Sequence, residues 1–106
     1  MKVLIIARLR AEATAERIAP HIRAQAAAVW HTYKSNQLRE MYYWANENKP
    51  GGAVLVYETG TVEAARDLAQ SLPIAQAELV DVEVYVLEPY LNVEALFAAS
   101  GEPINA

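Results

Sequence analysis

The chain contains no cysteine, which excludes a disulfide framework, thiolate catalysis and any cysteine-ligated metal, and suits a reducing compartment, the cytoplasm. It also lacks a long apolar run. Val3-Leu4-Ile5-Ile6-Ala7 is far shorter than the ~20 residues a membrane span needs, and it has neither the length nor the cleavage site of a signal peptide. Basic clusters are missing as well. Nine Lys and Arg stand against thirteen Asp and Glu, for a net charge of −4. The cations, among them Arg8, Arg10, Arg17, Arg23, Lys34, Arg39, Lys49 and Arg66, are dispersed, so no surface is offered to a phosphate backbone and nucleic acid is not an expected partner. No phosphate-cradling glycine loop, nucleophile elbow or metal-ligand helix occurs in the sequence.

What is present is apolar. Of 106 residues, 54% are hydrophobic and only 21% charged, a generous apolar share for a domain too small to bury most of its surface alone. Part of that surface is therefore expected to lie against a second copy.

Two halves of the chain repeat one pattern. Met1 to Leu9 reads as a strand, Thr14 to about Tyr33 as helical and Gln37 to Ala45 as a strand. Then Ala53 to Glu58 is a strand, Gly60-Thr61-Val62-Glu63 opens a helix, Leu72-Pro73-Ile74 stops it, and Leu79 to Leu87 is the last strand. The order β-α-β-β-α-β predicts an α+β, ferredoxin-like domain with a four-stranded antiparallel sheet over residues 1–90. Pro20 should kink or divide the first helix. Lys49-Pro50-Gly51-Gly52, with Asn46 and Asn48, predicts a long mobile loop between the second and third strands. Residues 91–106 form a tail in which Leu91 to Leu96 predicts a short helix, capped by Asn92 and stopped at Gly101.

The first strand is apolar on both faces, Val3, Ile5, Ala7 and Leu9 against Leu4 and Ile6, so both sides of the sheet need cover. In the last strand Val80, Val82, Val84 and Val86 form one branched stripe, opposite a mixed face with Asp81, Glu83 and Tyr85.

Gly60-Thr61-Val62-Glu63-Ala64, Leu72-Pro73 and Asp81-Val82-Glu83-Val84 resemble the muconolactone isomerase family of dimeric α+β barrels over roughly Leu38 to Pro89. That family's second strand carries Trp-Arg-x-Leu-Trp-Arg, where this chain reads Leu38-Arg39-Glu40-Met41-Tyr42-Tyr43, retaining only Arg39 as written. The resemblance implies a homodimer or higher homo-oligomer in which two sheets pack face to face. It also implies a small-molecule pocket between each sheet and its own helices. In isomerases, and in related monooxygenases of polyketide-like aromatics, that pocket works with neither metal nor organic cofactor.

A proton shuttle would need a base and a group to stabilise a developing enolate. Arg39 is the candidate carboxylate clamp, or else a strand-edge ion pair with Glu40 or Glu58. Tyr43, on the same alternating face, would donate to an oxyanion or simply pack. Tyr42 and Trp44 share the opposite face with Glu40 and are a second candidate lining; the pattern does not decide which face meets the helices. Glu40, among apolar neighbours, and His21, beside the stripe Ile18, Ile22, Val29 and Tyr33, are candidate bases, against a solvent-facing role for each. His31 falls on another helix face, so the histidines share no metal. Gln25, within that stripe, needs a partner: a water, a ligand or a backbone group. Asp81 and Glu83 are either paired acids or ion-pair partners of arginines. These readings favour a cofactor-independent enzyme moving a proton on a small carboxylate or lactone. The alternatives are a cofactor-free monooxygenase of aromatic substrates and a non-catalytic binding or assembly module.

Overall fold

Branched residues on both faces place β1 (Lys2–Leu9) in the middle of the sheet. In the computed structural model, which describes residues 1–98, it pairs antiparallel with β3 (Lys49–Glu58) on one side and β4 (Val80–Leu87) on the other, while β2 (Leu38–Asn46) forms the far edge beside β3. The order β2-β3-β1-β4 is the expected ferredoxin-like arrangement. Ile5 stands opposite Leu55 and Val84, and Val3, Ile5, Leu38, Ala53, Leu55 and Tyr57 gather under Ala65, Ala69 and Leu72 as the core.

Helices cover only that face. Thr14 accepts a hydrogen bond from the Arg17 N–H at 3.3 Å and opens α1 (Ala15–Ile18). Pro20 lies in a single 3-10 turn, Ala19–His21, before α2 (Ile22–Lys34), so the helix is divided as its missing N–H requires. Thr61 accepts from the Ala64 N–H at 3.1 Å to start α3 (Val62–Gln70), and Pro73 opens the short α4 (Pro73–Gln76). Ala65 and Ala69, 0% and 3% exposed, let α3 press close on the sheet, whereas Thr32 alone is buried on α2.

Two expectations are corrected. The long loop between the second and third strands is a tight hairpin, because Glu47 and Asn48 both take the left-handed conformation, φ 49° and 66°, the geometry of a two-residue turn that follows strand twist. Pro50, Gly51 and Gly52 belong to β3 instead. Glycine is required at 52, where φ is 154° and a Cβ would overlap the Ala7 carbonyl oxygen. In the tail, Leu91–Phe97 forms 3-10 turns with no side-chain cap from Asn92, and Val93, Leu96 and Phe97 are all exposed. Seven residues cannot repay helix nucleation without burying an apolar face. The stop assigned to Gly101 lies outside the described residues.

Tyr57 is fully buried and its hydroxyl has no partner among the described residues; burial pushes its pKa up to about 12. Because the folded value exceeds the ~10 of an unfolded chain, the stability that depends on a neutral phenol is intact below pH ~10. It is lost as pH rises toward 12, by about 2–3 kcal/mol. Tyr57→Phe should therefore be at least as stable as the parent at pH 7 and lose less between pH 9 and 11.5, read by urea unfolding; parallel losses in both proteins would refute the assignment.

Candidate functional site

Since α2 stands off from the sheet, the space between them is open. A cavity of about 1020 Å³ lies there. Its floor is the helix-facing side of the sheet, Ile5, Ala7, Leu9, Met41, Tyr43, Ala53 and Leu55; Ile18, Ile22, Gln25, Val29, Trp30 and Tyr33 make the wall, and Leu72, Ile74 and Val82 help close the end. The apolar stripe Ile18, Ile22, Val29 and Tyr33 is thus a cavity wall. Ile22, Trp30 and Tyr33 are more than half exposed, and Tyr43 is 79% exposed at the rim. Among the described residues no lining residue carries a formal charge.

A bulge decides which candidates reach it. Leu38 pairs with Tyr57 and Glu40 with Val56, leaving Arg39 as an extra residue. The alternation is reset there, because a bulge sets two residues of one strand against one of the other. Met41 and Tyr43 therefore face the helices with Leu38, while Glu40 and Tyr42 face the other way. Contrary to expectation, Arg39 does not share Tyr43's side: it is exposed, lies outside the cavity lining and donates from Nε to the Asn36 carbonyl at 2.8 Å. Glu40 accepts from the Tyr42 hydroxyl at 3.0 Å on the outer face, which raises the tyrosine's pKa. His21 sits in the 3-10 turn, also outside the lining. Of the seven candidates the cavity gathers Gln25, Tyr43 and Trp44.

Trp44, in register with Gly52 and Arg8, borders the cavity at the hairpin end, with its ring under the outer-face Arg8 guanidinium, 5.6 Å from the ring centre. It can do so only because positions 51 and 52 are glycine, since a Cβ at either would strike the indole. Trp30, which the sequence reading passed over, stacks on Tyr33 with centroids 5.8 Å apart; their three-residue spacing on one helix was the available signal. On the outer face Arg8 pairs with Glu83 at 2.6 Å and Arg10 with Asp81 at 2.9 Å, so these carboxylates are ion-paired. The Arg8 and Tyr85 hydrogen bonds hold Glu83 below the usual carboxylate range.

Among the described residues no three potential metal ligands cluster, and no helix is long and apolar enough to cross a membrane. The cavity lining offers shape, aromatic faces and a few neutral hydrogen-bonding groups, with no carboxylate, imidazole or guanidinium.

Neither a protein-family model nor a curated protein sequence matches the chain. Solved structures do. A 5-chloro-2-hydroxyhydroquinone dehydrochlorinase from Burkholderia phenoliruptrix, in complex with 2,5-dihydroxybenzoquinone, aligns with TM-score 0.69 and 14% identity over 83% of this chain and 94% of that one. Muconolactone isomerase aligns with TM-score 0.62 and 15% identity over 100% of both chains. An antibiotic biosynthesis monooxygenase aligns with TM-score 0.51 and 14% identity over 84% of this chain and 98% of that one. The chain shares the ferredoxin-like α+β fold of these structures. At these identities the fold is what is shared, and the resemblance read from the sequence holds at that level. The ferredoxin-like frame supplies the sheet; the stand-off of α2 supplies the room.

Gly51→Ala should displace the Trp44 indole. In a Trp30→Phe background, where Trp44 is the sole tryptophan, its emission maximum is expected to move to the red. An unchanged spectrum would show that the ring is not seated on Gly51.

Proposed function

We propose that this protein is a cofactor-independent, cytoplasmic enzyme that binds a planar, uncharged, oxygenated aromatic in the cavity between sheet and α2, as a cofactor-free monooxygenase would. The observation that carries this reading is that, among the described residues, no charged side chain belongs to a lining that includes Trp30, Tyr33 and Tyr43. Aromatic rings favour flat partners through offset or edge-on contact, and an apolar wall favours a neutral ligand. A volume of about 1020 Å³ is at the upper end for small-molecule sites, which run to ~1,000 Å³, and suits a fused-ring molecule better than a compact lactone. In this reading the cavity holds an electron-rich phenol or quinol flat. At the wet rim beside Tyr43 water takes the acidic proton and the anion reduces dioxygen. One oxygen atom bonds to a ring carbon in place of its hydrogen and the other leaves as water, so that phenol and dioxygen become quinone and water.

Two neighbours in fold support the class. One is a monooxygenase of antibiotic biosynthesis, and one was captured with a dihydroxybenzoquinone. Proton transfer on a small carboxylate is less well supported, because Arg39, Glu40 and His21 all stand off the lining.

We further propose a homodimer through the outer face of the sheet. There Leu4, Ile6 and Val54 are half-buried within one chain, ringed by the Arg8–Glu83 pair, Tyr85 and the Glu40–Tyr42 pair, an apolar centre with a polar rim. Tyr85→Asp would place an unpaired charge against that centre and should yield monomers or aggregates by light scattering; an intact dimer would remove this interface.

For the ligand class, a thermal-shift panel of 1,4-dihydroxynaphthalene, 2,5-dihydroxybenzoquinone, muconolactone and a small dicarboxylate separates the readings. A ligand at a hundred times its Kd stabilises the fold by about 2.7 kcal/mol. The fused aromatic should shift the melting temperature and consume oxygen in an electrode cell. Stabilisation by the lactone or dicarboxylate alone would favour the isomerase reading.

A further inference from the structure

Gln25 is held in an unusual way. Its Oε1 accepts the Ile74 backbone N–H at 3.0 Å, across 49 positions of sequence. Ile74 is the second residue of α4, whose preceding Leu72 provides no side-chain cap. The first N–H groups of a helix have no partner within it, so Gln25, reaching over from α2, does for α4 what a capping residue would do.

That bond also fixes the amide's orientation, because a backbone N–H can be met only by the carbonyl end of the side chain. The NH2 end is left over. It carries two donors, makes no hydrogen bond to any other described residue, and belongs to a half-buried side chain that lines the cavity. Around it the lining is hydrocarbon: Ile22, Val29, Leu72 and Ala75 come from the same helices. The other neutral polar side chains of the lining are Trp30, Tyr33, Tyr43 and Asn48, all exposed where water competes, and half-buried Trp44, whose indole is seated against Gly51 and Gly52 under Arg8.

We infer that Gln25 is the specificity-determining donor of this cavity, and that it selects ligands presenting a carbonyl or phenolate oxygen to its NH2 group. The inference rests on the proposed binding of planar aromatics and adds to it the functional group and the end of the molecule that is recognised. A donor in an apolar wall discriminates more sharply than a hydrophobic contact, since a ligand without an acceptor leaves the amide unpaired and desolvated.

The two roles of the side chain can be separated by one substitution. Glutamate at position 25 still accepts from the Ile74 N–H, near a helix N-terminus that favours negative charge, yet at neutral pH it cannot donate. Fluorenone and fluorene share a flat three-ring frame and differ in one carbonyl oxygen. Binding of each is read by quenching of Trp30 and Trp44, both in the lining, and thermal unfolding is recorded in parallel. The native protein should bind fluorenone about 10-fold tighter than fluorene, the scale of one well-made hydrogen bond in a buried site. Gln25→Glu should abolish that preference while keeping its melting temperature within a few degrees, and Gln25→Leu should lose both preference and stability. If Gln25→Glu keeps the native preference, or the native protein shows none, the donor role is wrong although the cavity binds aromatics. If neither compound quenches either tryptophan, the aromatic-binding reading itself fails and this inference with it.

Discussion

Ala65 and Ala69 bring α3 down onto β1, and this close contact sets the depth of everything else on the helical face. With no side chain longer than a methyl between backbone and sheet at those positions, Val3, Ile5, Leu55 and Tyr57 are sealed from water. The second long helix has no such small-residue seam. Its cavity-facing residues Ile22, Val29, Trp30 and Tyr33 are bulky, Pro20 divides its approach, only Thr32 on it is buried, and the Gln25 bond to Ile74 ties it to α4. One helix packs and the other bridges. The cavity is the volume that this difference in height leaves over, so it belongs to the framework and not to a loop that could close on itself.

The framework was legible because its signals are local and mutually consistent: period-two apolar runs, Thr61 at a helix start, Pro20 and Pro73 at divisions, and the stripe of valines in β4. The errors came from places where one residue changes the frame. At Arg39 the chain inserts an extra residue, and every side-chain direction before it is reversed relative to those after it; a bulge has no composition of its own to betray it. At the hairpin, Gly51 and Gly52 looked like turn residues but serve the packing of Trp44, while Glu47, a poor turn former by type, takes the left-handed conformation. The candidate site was half readable. Gln25, Tyr43 and Trp44 were singled out from chemistry and do line the cavity, whereas Trp30 was not, because an aromatic on an apolar stripe reads as core unless its exposure is known.

The two faces of the sheet divide the chemistry between them. Charge is concentrated on the outer face, where Arg8, Arg10, Asp81 and Glu83 neutralise one another beside Tyr85. The inner face has none in its lining. Such a division keeps ionised groups where water or a facing surface can solvate them, and it spares the cavity the cost of burying an unpaired charge.

A wall that contributes little to holding the molecule together is free to vary. On α2 only Thr32 is buried, and substitutions at exposed positions usually change stability by less than ~0.5 kcal/mol. Ile22, Trp30 and Tyr33 can therefore be exchanged for side chains of other shapes with the sheet and α3 left undisturbed. On the proposed function, the same scaffold could pass from one aromatic ligand to another by changes on a single helix, which makes α2 the natural place to begin redesigning the cavity.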